Sequence, residues 1–292
     1  MAVTNTLTET GGKTAAEFQL RRIVVAHDGS TAAARAYKDA IALAKRYGSE
    51  IILAHVRPPA EDFPEHLEYS EDVAELKALR EQLTTLGIRG KVVVRAGIVG
   101  DTLFDISHHE HADLLMLGAY GRGSVDRLTL GSTAEHLLRS LPCPAITYGP
   151  EVKYSFLDHA INTGPILIPV PLPFELIHLE LAASIARLFN LRCEIIHIAN
   201  SAHELPHHEA EYQCRDLAMG LRREGLDVSW SLINGIPNLA EVYINAYCGE
   251  HRSPFILIPL ERRNRLSSIT SDNVAAQVIR RATVPVMTYR ID

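Results

Sequence analysis

Chemistry in this chain is carried first by glycines: Gly118-Ala119-Tyr120-Gly121, then, after nine intervening residues, Gly131-Ser132. The run follows the short apolar segment Leu114–Leu117 and precedes Ser132-Thr133-Ala134-Glu135, a Ser-x-x-Glu pattern of the kind that caps a helix N-terminus. A buried strand, a glycine loop and a helix N-terminus together make an anion site: free backbone N–H groups point outward, and glycines let a phosphate reach the main chain. The same residues also read as an ordinary strand-to-helix turn without a ligand. The spacing is neither a Gly-Lys-Ser/Thr phosphate loop nor a GxGxxG fingerprint.

The elements that must position this loop follow from short apolar runs alternating with helical periodicity. Arg22–Asp28 reads as a first strand ending in the aspartate, followed by Gly29-Ser30, with Ser30 capping a helix whose apolar residues include Ala34, Ile41 and Ala44. Glu50–Val56 is a second strand. Val73, Leu76, Leu79, Leu83 and Leu86 mark a helix ending near Gly87, and Lys91–Arg95 is a third strand before Gly97. Asp113–Leu117 and Cys143–Tyr148 are the fourth and fifth. Such alternation specifies a doubly wound parallel α/β sheet.

The gap-free pattern Gly-x2-Gly-x9-Gly-Ser resembles the ATP-binding signature of the universal stress protein family, and the flanking strands fit that family over residues 21–150. The resemblance implies a flavodoxin- or Rossmann-like sheet of five parallel strands in the order 3-2-1-4-5, with helices on both faces. Ligands of such sheets collect where the strand order reverses, here between strands 1 and 4 beside Asp28 and Gly118. It further implies that Asp28 accepts bonds from ribose hydroxyls, that Ala26, His27 and Val56 frame the adenine, and that Gly118 meets the ribose. Gly121, Arg122, Gly123 and Ser124 would wrap the phosphates, closed on the other side by Gly131, Ser132 and Thr133. Asp28 also reads as a turn aspartate before Gly29, and Arg122 and Arg127 also read as solvated loop charges. The implied cofactor is ATP, with magnesium carried on its phosphates and no metal held by the protein alone.

The chain is an internal repeat. Arg139–Tyr148 is echoed by Arg280–Tyr289 at an offset of 141 residues. Pro165–Val170, Cys193–Ile198, Val228–Leu232 and Phe255–Ile258 answer strands 1 to 4, with His197 against His55. We therefore expect a tail over 1–20, a nucleotide-binding domain over 21–150, a linker over 151–164 and a second domain over 165–292. The resemblance implies that such domains pair through their last strands, so Ala145–Tyr148 and Val286–Tyr289 are expected to pair within the chain as a pseudo-two-fold tandem, and whole chains could dimerise further. In the second copy Asp28 becomes Pro171, and Gly118, Gly121, Gly123, Gly131 and Ser132 become Pro259, Arg262, Asn264, Asp272 and Asn273. Side chains and proline close the approach to the backbone, and Asp272 supplies its own anion at a helix N-terminus. The second copy should keep the fold without the nucleotide site. Arg262, Arg263 and Arg265 read either as a solvated loop or as a side-chain anion site.

Composition excludes several classes. With 292 residues, 47% hydrophobic and 22% charged, the chain has material for two folded cores. A net charge of −6 argues against a general nucleic-acid or membrane-surface binder. Met1–Phe18 lacks the apolar core of a secretory signal, and no segment approaches a membrane span. Cys143, Cys193, Cys214 and Cys248 show no zinc spacing, and two of them fall in expected strands, which suits a reducing, cytoplasmic setting. His108-His109-Glu110-His111, near the end of an expected helix, and His203–His208, in an expected crossover loop, are dense but read as polar surface and not as metal ligands. No Ser-His-Asp order, HExxH or GxSxG is present and no carboxylate is placed to orient water. The expectation is a nucleotide-sensing stress protein. Alternatives are a weak ATPase or phosphotransferase using the same site, and a ligand-free scaffold.

Overall fold

The computed structural model describes residues 18–57, 69–121, 130–158, 163–199, 206–236, 239–261 and 271–291, with side chains described from 74 in the second helix and from 274 in the last. Of the expected tail, residues 1–17 lie outside this set. The first half runs β1 (Arg22–Ala26), α1 (Thr31–Tyr47), β2 (Glu50–Arg57), α2 (Tyr69–Thr85), β3 (Gly90–Ala96), α3 (Val99–His109), β4 (Leu114–Gly118), α4 (Ser132–Arg139) and β5 (Ala145–Tyr148). The second half repeats this order with β6 (Ile166–Pro169), α5 (Glu180–Phe189), β7 (Cys193–Ala199), α6 (His207–Arg223), β8 (Val228–Asn234), α7 (Ala240–Glu250), β9 (Ile256–Glu261), α8 (Ser271–Arg281) and β10 (Val286–Ile291).

All ten strands form one sheet in the order β3-β2-β1-β4-β5-β10-β9-β6-β7-β8. Each half has the order 3-2-1-4-5, parallel throughout, and the halves meet antiparallel at β5 and β10. There Ile146 faces Met287, its counterpart at the 141-residue offset, while Thr147 faces Val286 and Ala145 faces Thr288. The pairing is therefore self-complementary about a pseudo-two-fold axis at Ile146 and Met287, and two strands that would otherwise be exposed edges cover one another.

Alternate strand residues feed two continuous cores, one on each face. Ile23, Val25, Ile51, Leu53, Met116 and Ile146 point to the side of α1, α2, α5 and α6. Val24, Ile52, Leu115, Leu117 and Ala145 point to the side of α3, α4, α7 and α8. With both faces covered, the strands read as unbroken apolar runs. Helices end where the sequence places glycines: Gly87 and Gly225 take φ of 70° and 83°, a left-handed turn that a β-carbon disfavours.

The connecting segment is tied to both halves. On α1 the buried Asp39 accepts from Tyr148 Oη at 2.8 Å and also bonds Ser155 and the Phe156 backbone. Phe156 itself enters the second half, edge-on to Phe189 and Phe255 at 5.9 and 5.5 Å. Across the halves Tyr47 Oη donates to the Leu188 carbonyl at 2.8 Å.

Several expectations require correction. On α1 the buried face is Ala33, Ala36, Tyr37, Ala40, Leu43 and Ala44, whereas Ala34 is exposed, because the helix starts at Thr31 and turns Ala34 outward. Leu86 lies beyond the end of α2 and is 37% exposed. Cys143 precedes β5 in a turn instead of lying in it. His207 and His208 open α6, so this part of the histidine cluster is helical, and His203 falls outside the described residues.

Candidate functional site at the strand-order reversal

Strand β1 is flanked by β2 and β4, so the chain reverses its winding at the carboxyl ends of β1 and β4. The residues leaving these two ends form the site. His27 N–H donates to Ala54 O at 2.8 Å, which carries the chain one residue past β1 in register with β2. The His27 carbonyl in turn accepts from Nδ1 of His55 at 2.8 Å. The buried His27 ring lies with Nε2 3.7 Å from Glu75 Oε1 of α2. Ala26 and Val56 are partly buried at the same edge.

Asp28 then makes a turn of its own. Its Oδ1 accepts from Ser30 N–H at 2.9 Å, Gly29 takes φ 71°, and Ser30 Oγ accepts from Ala33 N–H at 3.1 Å as the cap of α1. The turn reading of Asp28 is what the geometry shows: one carboxylate oxygen holds the turn, and the other, Oδ2, faces Gly121. A β-carbon on Gly121 would sit 3.2 Å from that oxygen. Gly121 is exposed and has no other close neighbour there.

Gly118 and Gly131 answer to the protein itself. A β-carbon on Gly118 would come within 2.9 Å of Ala32 Cβ, because the end of β4 runs against the first turn of α1. One on Gly131 would lie 2.5 Å from the Ala119 carbonyl oxygen, which already accepts from Gly131 N–H at 3.0 Å. That bond closes the base of the loop and fixes where α4 begins.

It also overturns the expected capping box. Gly131 occupies the cap position, Ser132 is the first helical residue, and no side chain caps α4. Glu135 turns to Arg139 one turn on, instead of back to Ser132. The first intrahelical bond of α4 is Glu135 N–H to Gly131 O, so the amides of Ser132, Thr133 and Ala134 precede the helical ladder. Helix start and Asp28 are linked through Gly121, Tyr120 and Ala119. Arg122, Gly123, Ser124 and Arg127 lie outside the described residues.

Sequence reasoning missed Glu75. It lies on α2, in the half-turn before Leu76 and Leu79, and only the packing of α2 over β2 and β3 brings it to His27. No group of three or more His, Cys, Asp or Glu residues able to hold a metal occurs among the described residues. Nor is any described helix long and apolar enough to cross a membrane.

The second copy keeps the frame and changes the contents. His197 Nδ1 donates to the Val170 carbonyl at 3.0 Å, as His55 does to His27. The next residue is Pro171 in place of Asp28. Pro259 pairs with Tyr289 where Gly118 pairs with Tyr148, and β9 continues to Glu261 instead of leaving the sheet there. Asp272 and Asn273 fall in the first turn of α8, while Arg262, Arg263, Asn264 and Arg265 lie outside the described residues.

Comparison with known proteins bears on the family and the fold. The universal stress protein family model matches residues 19–148. A universal stress protein of Thermus aquaticus is 30% identical over 133 residues, 43% of this chain and 96% of its own length. One from Methanocaldococcus jannaschii is 27% identical over 136 residues, 43% of this chain and 80% of its own. Among solved structures, a universal stress protein from Archaeoglobus fulgidus is similar in fold over 94% of this chain and 99% of its own, at 19% identity and a TM-score of 0.70. A Pseudomonas aeruginosa protein of unknown function covers 94% and 93%, at 18% identity and a TM-score of 0.68.

Proposed function

The chain belongs to the universal stress protein family, and we propose that its first half, residues 21–150, binds ATP as a sensing ligand at the strand-order reversal. The observation that carries this reading is the Asp28 carboxylate, held by Ser30 N–H through one oxygen and facing the exposed Gly121 with the other. In it Asp28 Oδ2 accepts from the ribose, as a charge-assisted bond. Ala26, His27 and Val56 border the base. Gly118 borders the ribose with its main chain. The phosphates lie against Gly121, Arg122, Gly123 and Ser124 and, on the other side, against Gly131 and the open amides of Ser132 and Thr133, where the α4 dipole favours an anion. Gly131 N–H is already spent on Ala119, so Ser132 and Thr133 carry that side. Magnesium would ride on the phosphates. Residues 165–292 form a second domain of the same fold without a nucleotide site, since Pro171 and Pro259 remove the carboxylate and the glycine.

A sensing role suits the site better than turnover. Among the described residues the carboxylate that faces the glycine loop, Asp28, is engaged through Oδ1 in its own turn, and in this reading its Oδ2 is spent on the ribose, not on an attacking water. The test is calorimetric titration of the full chain with ATP. Asp28→Ala should weaken binding by about tenfold or more, the scale of one charge-assisted bond, with the melting temperature nearly unchanged. Equal affinity in wild type and variant would refute this assignment of Asp28, and multiple turnovers lost in the variant would move the reading to an ATPase.

A further inference from the structure

The second copy buries a polar triad where the first packs apolar side chains. Strand registers and the matching ends of α3 and α7 make Ile52, Val93 and Ile106 the counterparts of Glu194, Ser231 and Tyr247. Ile52 and Ile106 are fully buried, and Glu194 is 6% exposed in the same layer, beside Ile196 and Ile198. Glu194 Oε1 accepts from Tyr247 Oη at 2.6 Å and from Ser231 Oγ at 2.8 Å. Oε2 makes no hydrogen bond among the described residues. Replacing three apolar groups by a carboxylate and two hydroxyls costs desolvation, and two neutral donors on one oxygen leave the charge uncompensated.

That carboxylate borders a cavity of about 360 Å³ at the amino-terminal edge of β6, β7 and β8, the end of the sheet opposite the glycine loop. Asp227 and Ser229 of the β8 start, Arg192 and Cys193 of the β7 start, and His251 complete the polar lining. Arg192 is drawn to the Thr163 carbonyl at 3.3 Å. His251, which lines the cavity, stacks on the Tyr247 ring at 3.8 Å, so Tyr247 backs it from behind. Two carboxylates against one guanidinium leave the lining one negative charge in excess when His251 is neutral. A metal is not the match, since no three ligating side chains converge among the described residues. We propose that this cavity binds a small organic monocation, an ammonium or guanidinium group donating to Glu194 Oε2 and Asp227 with its apolar side against His251.

The experiment is calorimetric titration of the full chain with propylammonium chloride and methylguanidinium chloride, against sodium chloride at equal ionic strength. Saturable binding of at least one of these cations is expected, weakened about tenfold by Glu194→Gln with the melting temperature kept or raised. Asp227→Asn, on the exposed rim, gives the second reading without disturbing the core and should weaken the same binding. Binding that neither substitution alters, or no saturable binding of either cation to the wild-type chain, would overturn the proposal and leave the triad as a polar patch in the core.

Discussion

Gly121 stands directly opposite Asp28, so closely that a β-carbon on the glycine would lie 3.2 Å from the Asp28 carboxylate oxygen. The relationship separates two kinds of glycine in one loop. Gly121 leaves room beside a carboxylate, whereas Gly131 leaves room for the protein's own Ala119 carbonyl at 2.5 Å. Substituting each should therefore fail differently. Gly121→Ala should melt within a few degrees of wild type and bind ATP several-fold more weakly. Gly131→Ala should lose about 1–3 kcal/mol of stability, because a backbone oxygen must move. Parallel thermal melts and ATP titrations check both, and equal destabilisation by the two would contradict the distinction.

The buried Asp39 gives a prediction with a sign. Desolvation raises its pKa above the ordinary carboxylate value, against hydrogen bonds from Ser155, Tyr148 and Phe156 that pull it down. A group whose folded pKa is raised contributes most below its unfolded pKa, about 4, and loses that contribution as pH rises through the folded value. Asp39→Asn cannot ionise and retains an acceptor for Tyr148. Its stability relative to wild type should grow between pH 4 and 7 in urea melts; a gap that shrinks over this range would contradict the assignment.

The junction of the two halves rests on Ile146 facing Met287, with Ile146 1% and Met287 0% exposed. Met287→Asp places a carboxylate in the apolar core between the copies, and should cost about 3 kcal/mol or more. Loss of soluble folded protein, or a much lower urea midpoint, is the expected result. A wild-type midpoint would mean that the antiparallel seam is absent in solution.

The cysteines should be inert in the native protein. Burial pushes Cys193 and Cys248 up to about 12, and Cys143 likewise, with Asp113 adding to it. Thiolate is the reactive form, so Ellman's reagent at pH 8 should label the native chain slowly and react with four thiols per chain after unfolding. Rapid stoichiometric labelling before unfolding would contradict the packing.

Much of this was legible in the residues, and the exceptions have physical causes. Strands such as Ile51–Ala54 and Leu114–Leu117 were readable because both faces of the sheet are covered, which makes each strand a continuous apolar run. The 141-residue echo likewise located β10, and the family resemblance supplied its pairing with β5. Ser132 misled because its sequence has the form of a cap, while a tertiary bond from Gly131 to Ala119 sets the helix start one residue earlier in the chain. Glu75 and the Glu194–Ser231–Tyr247 triad were not legible locally, since their members come from separate elements. The triad had one usable signal, a polar residue at each position where the first copy has Ile52, Val93 or Ile106.

The central claim is one nucleotide site in the first half and none in the second. Protein purified without added nucleotide, heat-denatured and analysed by ion-exchange chromatography, gives the adenine nucleotide per chain. About one ATP per chain is the predicted result, or one taken up per chain on titration if the site is empty on purification. Two per chain would contradict the closed second site, and none on either measurement would reduce the glycine loop to a structural turn.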